Sequence, residues 1–205
     1  MQTMKIAVFG GTGRTGLHVV RLVLAAGYDV TVLARTPAKM TIQDRNLTVV
    51  AGDVTDITAV TQTITGADAV ISAISPTLTG VQNIITAMQA AGVRRLIVTS
   101  GAGVKRDGDE PTLSSKIISG LIKTFSRQVY EESLAIADAV QNSGVAWTLV
   151  RAPRLVDKPA TGNLYIGPLN KNMKTTLSRE DFARFLVTAV QDDAWVGKSL
   201  VLSDR

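Results

Sequence analysis

Cysteine is absent from the 205 residues, which excludes disulfides, thiolate metal sites and cysteine nucleophiles together. The single histidine, His18, cannot by itself supply a histidine metal site or a serine–histidine triad, so no metal is expected. Aromatic residues make up 4% of the chain, too few for a platform on which nucleic-acid bases stack. No apolar run is long enough to span a membrane, because Arg21 interrupts the longest candidate, between Val19 and Ala26. The Ile6 to Phe9 run is too brief for a signal peptide and is better used as a strand, which makes the cytoplasm the expected compartment.

Charge is lopsided, with a formal net charge of +5, yet the basic residues are scattered and only Arg94-Arg95 and Lys105-Arg106 are adjacent. Neither a nucleic acid nor a membrane is therefore an expected partner. A nucleotide phosphate is a more economical one. Hydrophobic residues at 45% and charged residues at 19% suit a globular protein. With no composition shift or low-complexity linker, residues 1–205 read as one domain.

What the chain does have is glycine in a telling place. Lys5-Ile6-Ala7-Val8-Phe9 is an apolar strand, Gly10-Gly11-Thr12-Gly13-Arg14-Thr15-Gly16 is a glycine-rich turn, and Leu17, Val20, Val23 and Leu24 follow at helical spacing up to Gly27. Glycines at 10, 13 and 16 permit a tight turn, a close approach of backbone to a pyrophosphate, and packing of the helix on the strand. Unpaired amides at the helix start then face the phosphates.

Periodicity predicts further strands at 30–34, 48–51, 69–73, 95–99, 146–150 and 199–202. Helices are expected at 14–26, 57–64, 79–91, 126–142 and 179–191. Strands alternating with helices imply an α/β fold, a Rossmann-like doubly wound parallel sheet. In such sheets ligands lie beyond the carboxyl ends of strands, which selects Gly10 to Gly16, Arg35, Asp53, Ser72 to Ser75, Thr99 to Ala102 and Ala152 to Arg154. Two irregular stretches, 101–113 and 153–173, follow strand ends and read as substrate-side loops. Within the first, Lys105 to Glu110 reads as a solvated turn.

Arg35 ends the second strand, where the adenosine ribose is met. A guanidinium beside Thr36 suits a 2′-phosphate, so NADP(H) is the expected dinucleotide, unless Arg35 merely stacks on adenine and tolerates NAD(H) as well. Arg14 is placed to approach the same phosphate, with Lys39 a weaker third candidate. Asp53 is expected either to accept from the adenine amino group or to cap a helix, a task for which Asp56 is better placed. Ala73 and Ile74, where the fourth strand closes, are expected beside the ribose and phosphates. Thr99 and Ser100 fall near the nicotinamide ring, and Ser100 is the leading polar candidate for orienting a substrate carbonyl; its alternative role is to cap backbone at the strand end. His18, Trp147 and Trp195 read as packing residues, and Glu131-Glu132 as a solvated helix face.

These segments, with Ala26 to Arg35, Val50 to Val54, Ala67 to Ile71, Asn83 to Met88, Ser143-Gly144, Arg151 to Pro159 and Thr161-Gly162, resemble the atypical short-chain dehydrogenase/reductase superfamily. The likeness is nearest the small biliverdin IXβ reductase/flavin reductase type, its bacterial NAD(P)H-binding relatives and NmrA-like proteins, and covers nearly the whole chain. It implies NADPH held by Gly10, Thr12, Gly13, Thr15, Arg35, Asp53 and Val54, with Thr99, Ser100 and the Pro153-Arg154 corner around the nicotinamide. It also implies hydride transfer to a small conjugated acceptor such as a flavin, tetrapyrrole or quinone, and a monomer or weak homodimer.

Two features depart from the pattern. Tyr130 is followed four residues later by Leu134, so the Tyr-x-x-x-Lys pair of ordinary members is missing. Where the biliverdin/flavin reductases have histidines near the substrate, Ser133 and Arg154 align. Arg154 suits an acceptor's carboxylate or phosphate, or else a salt bridge with Asp157. The missing pair also permits a second reading, an NADP(H)-sensing regulatory protein of NmrA-like type. A sugar-nucleotide epimerase would need the tyrosine.

Overall fold

The computed structural model describes residues 3–74, 77–104, 106, 108–110 and 127–205. Ser75, Lys105, Asp107, Ser126 and the 111–113 end of the first loop, all named above, lie outside the described residues. In chain order the elements are β1 (Lys5–Phe9), α1 (Arg14–Ala25), β2 (Asp29–Ala34), β3 (Leu47–Ala51), α2 (Ile57–Ile64), β4 (Ala69–Ser72), α3 (Leu78–Ala91) and β5 (Arg95–Gly101). There follow α4 (Arg127–Gln141), β6 (Ala146–Ala152), β7 (Arg154–Val156), β8 (Leu164–Gly167), β9 (Thr176–Ser178), α5 (Arg179–Thr188) and β10 (Lys198–Asp204).

Eight strands form one sheet in the order β3-β2-β1-β4-β5-β6-β10-β8, parallel except for β8, which runs antiparallel to β10. Strand order reverses between β1 and β4, and this switch point is where a doubly wound sheet opens a crevice. Because successive side chains on a strand point to opposite faces, each strand feeds two cores. Ile6 and Val8 join α1 and α5 on one face; Ala7 and Phe9 join α2, α3 and α4 on the other. No helix among the described residues is long and apolar enough to cross a membrane.

Helix ends are set by local chemistry. Asp56 accepts from the amides of Thr58 and Ala59 to start α2, Thr77 Oγ1 accepts from Gly80 N at 3.1 Å to start α3, and Ser178 caps α5. Gly92 ends α3 in the left-handed conformation, φ 72°. Arg95, nearly buried, donates to the carbonyls of Ala189 and Val190 just past α5, so that a cation meets the negative end of that helix. Burial lowers its pKa, opposed by Asp193 and Asp192.

The expected strands and helices are all present, with ends shifted by at most three residues. The 153–173 stretch, however, is less irregular than expected. Arg154–Val156 pairs with Thr176–Ser178, and Leu164–Gly167 adds an edge strand to the main sheet. Strands of three and four residues are too short to show a period.

The 106–110 turn also differs from its expectation. The side chain of Asp109 is fully buried, bound through both oxygens to the equally buried guanidinium of Arg151 on β6 at 2.6 and 2.8 Å. It also accepts from the amides of Arg106 and Leu169, both at 2.8 Å. One carboxylate thus ties the two substrate-side loops to the end of β6. Glu132 is not simply solvated either, since its side chain accepts from the Leu78 amide at 3.1 Å at the start of α3.

Candidate functional site

Two clefts flank the β1/β4 switch point. The first, of about 330 Å³, is lined by Phe9, Gly10, Thr12, Gly13, Leu33, Arg35, Gly52, Asp53, Val54, Thr55, Ile74 and Thr77. The second, of about 240 Å³, is lined by Thr15, Ala73, Thr99, Ser100, Gly101, Ala152, Pro153, Leu155 and Phe182. Between them stands the first turn of α1.

That turn is built for contact with an anion. Among the α-helices whose N-caps are described, α1 alone has no side-chain cap: Gly13 occupies the position, and no acidic residue lies in the first turn. Gly13 N donates to Gly10 O and Leu17 N to Gly13 O, leaving the amides of Arg14, Thr15 and Gly16 as the turn's orphan donors. A Cβ on Gly16 would run into the Gly10 carbonyl, and Gly10 itself has φ +80°. Open amides with backbone close behind them fit a diphosphate.

At the outer end of the first cleft, Arg35 is 83% exposed with its Nε 3.8 Å from Asp53 Oδ2. The other Asp53 oxygen accepts from Thr55 N at 2.9 Å and from Thr55 Oγ1 at 2.7 Å. The Thr55 amide, then its hydroxyl, hold the Asp53 carboxyl below its usual value, against a small burial effect and with help from Arg35. Asp53 therefore shapes its own loop, while Asp56 does the helix capping. Asn83 Nδ2 fixes the floor of this cleft through the carbonyls of Val54 and Thr55.

At the inner cleft, Thr99 Oγ1 donates to Ile74 O at 3.1 Å, and Ser72 Oγ to the same oxygen at 3.4 Å. Thr99 is thus committed to holding the turn after β4. The Ser100 hydroxyl makes no hydrogen bond among the described residues, so the backbone-capping alternative is not what this conformation shows, and Ser100 is among the residues that line the cleft. Pro153 forms the opposite wall and Arg154 is exposed beside it.

Two arginines have partners other than the sequence suggested. Arg14 does not line the Arg35 cleft; it pairs with Asp157 across the mouth of the site. Asp157 also receives Arg179 at 2.7 Å, so its partners are Arg14 and Arg179 and not Arg154. Reasoning along the chain missed Arg179, Asn83, Thr55 and the buried Asp109–Arg151 pair. The last had a signal: an arginine inside the apolar strand Thr148-Leu149-Val150-Arg151-Ala152 needs a counter-ion.

A family model described as NAD(P)H-binding matches residues 10–193. A curated (4-alkanoyl-5-oxo-2,5-dihydrofuran-3-yl)methyl phosphate reductase from Streptomyces griseus is 33% identical over 147 residues, which is 71% of this chain and 46% of that protein. The chain thus spans about half the length of that relative. A short-chain dehydrogenase/reductase from Veillonella parvula in complex with NADP superposes with TM-score 0.83 at 18% identity, over 99% of this chain and 95% of that one. ChuY, an anaerobillin reductase from Escherichia coli O157:H7, gives TM-score 0.80 at 20% identity over 98% and 97%. Such distant likenesses speak to the fold.

Proposed function

The chain belongs to the NAD(P)H-binding family, and from that premise we propose that it is an NADPH-dependent oxidoreductase acting on a conjugated acceptor such as a flavin or quinone. The observation that carries this reading is the uncapped first turn of α1 standing between an arginine-ended cleft and a cleft that ends at Ser100. The names of the reductase relatives support the reaction class.

The dinucleotide, when bound, supplies the hydride. The protein's own groups bind and position. Amides of Arg14, Thr15 and Gly16 take the diphosphate, Arg35 takes the adenosine 2′-phosphate, and Asp53 and Val54 border the adenine. Ser100 offers a hydroxyl to orient the acceptor's carbonyl. With Leu134 where ordinary members of the superfamily carry the lysine paired with the tyrosine, the usual proton-donating pair is missing, and a planar acceptor that takes its proton from water suits such a site.

The test follows NADPH and NADH oxidation by absorbance with flavin and quinone acceptors, for the wild type and an Arg35 variant. Because Asp53 lies beside Arg35, Arg35→Ser is a cleaner change than Arg35→Asp, which would also set two carboxylates together. Arg35→Ser should weaken NADPH by about 1.5–3 kcal/mol, roughly ten- to a hundredfold, and NADH far less. Equal losses for both cofactors would contradict the role given to Arg35. Tight binding without turnover of any acceptor would favour the sensing role.

A further inference from the structure

Asp157, just beyond β7, is 53% exposed yet holds two guanidiniums. Arg179 Nε donates to its Oδ1 at 2.7 Å, and Arg14 pairs with Oδ2. Both cations converge on one place. Arg14 opens α1, and Arg179 Nη1 lies 3.5 Å from Thr15 Oγ1 in the same turn. Arg179 is only 16% exposed and also donates to Leu155 O at 3.1 Å, so it stays beside this turn whichever anion its other nitrogens hold.

Two guanidiniums therefore meet on a single carboxylate beside the turn that carries the orphan amides. A carboxylate and a phosphate present the same acceptor geometry to a guanidinium, and a diphosphate carries the second negative charge that this cluster lacks. We propose that Asp157 is an internal stand-in for the dinucleotide's diphosphate, and that Arg14 and Arg179 move from its carboxylate to phosphate oxygens as the cofactor docks. Arg179 then becomes a cofactor-positioning residue, and Asp157 a competitor that lowers affinity by the work of displacing it. The inference rests on reading the cleft as a dinucleotide site.

Asp157→Asn removes the competing charge and keeps the side chain's size. Titrations would use NADPH, adenosine 2′,5′-bisphosphate, which retains a phosphate of the diphosphate, and adenosine 2′-phosphate, which has none. The variant should bind NADPH about tenfold more tightly, the size of one charge-assisted contact regained. It should also tighten the bisphosphate and leave adenosine 2′-phosphate unchanged. Arg179→Met, or Arg179→Lys should the first fail to fold, should weaken NADPH and erase the gain in the double variant. Unchanged or weaker NADPH binding by Asp157→Asn overturns the proposal, as does equal tightening for adenosine 2′-phosphate. Wild-type protein that binds no NADPH would overturn the cofactor reading itself.

Discussion

Gly16→Ala should abolish most cofactor binding and cost stability at the same time. On propensity alone the change favours the helix by up to about 1 kcal/mol. Against it, the new Cβ would strike the Gly10 carbonyl oxygen and come within 2.7 Å of both the Gly10 carbonyl carbon and Gly11 Cα. These are backbone atoms and cannot rotate aside. Overpacking of this kind costs about 1–3 kcal/mol, so the steric effect outweighs the propensity gain. Moving the loop also misaims the amides of Arg14 to Gly16, and loss of charge-assisted bonds there should weaken NADPH by about a hundredfold. Gly13→Ala is the comparator, since its Cβ would lie 3.2 Å from the same oxygen, a contact that a small shift relieves. Urea unfolding and NADPH titration of the two variants check this; wild-type affinity in Gly16→Ala would refute it.

Arg151→Met should destabilise the fold by about 3–5 kcal/mol, the usual result of leaving one charge of a buried pair alone. Asp109 would keep two amide donors, from Arg106 and Leu169, but lose its guanidinium. Adding Asp109→Leu removes the orphaned charge, so the double variant should lose less than the sum of the singles. Acid unfolding gives an independent readout. Burial pushes the Asp109 carboxyl up, but the bond from Arg151 and the amides of Arg106 and Leu169 outweigh it and hold the pKa below its ordinary value. A carboxyl lowered by folding contributes stability that is complete above its unfolded pKa, near 4, and fades as pH falls toward the folded one. The wild type should therefore lose stability below about pH 4, and that dependence should flatten in Arg151→Met. A difference under about 1 kcal/mol at neutral pH would contradict the importance given to the pair.

The sequence was most legible where burial is two-sided. β1, β2, β4 and β5 are near-continuous apolar runs, and the glycine pattern after β1 marks its turn without help from the rest of the chain. The cleft walls were also foreseeable, because strand carboxyl ends meet at a switch point whatever the side chains are. Charges that find partners across long separations were not legible. Asp109 lies 42 residues from Arg151 in a run of charged residues broken by a glycine, so locally it looks solvated. Asp157 and Arg179 sit 22 residues apart, just past the two strands of the short β7–β9 ribbon. Their pairing is a product of tertiary geometry, and no local rule forecasts it.

β10 lies between β6 and β8 and is the neighbour through which β8 joins the sheet. Every β-strand contact of β8 in the sheet runs through β10, at residues 201–204, so detaching that one segment would unseat the edge strand while β1 to β5 kept their ladder. Local opening of this kind is governed by how many contacts a unit shares with the rest. Amide protons of Leu164–Gly167 should accordingly exchange with solvent together with those of β10, and sooner than those of β1 and β4. The glycine turn after β1 would then stay ordered while this edge of the sheet breathes.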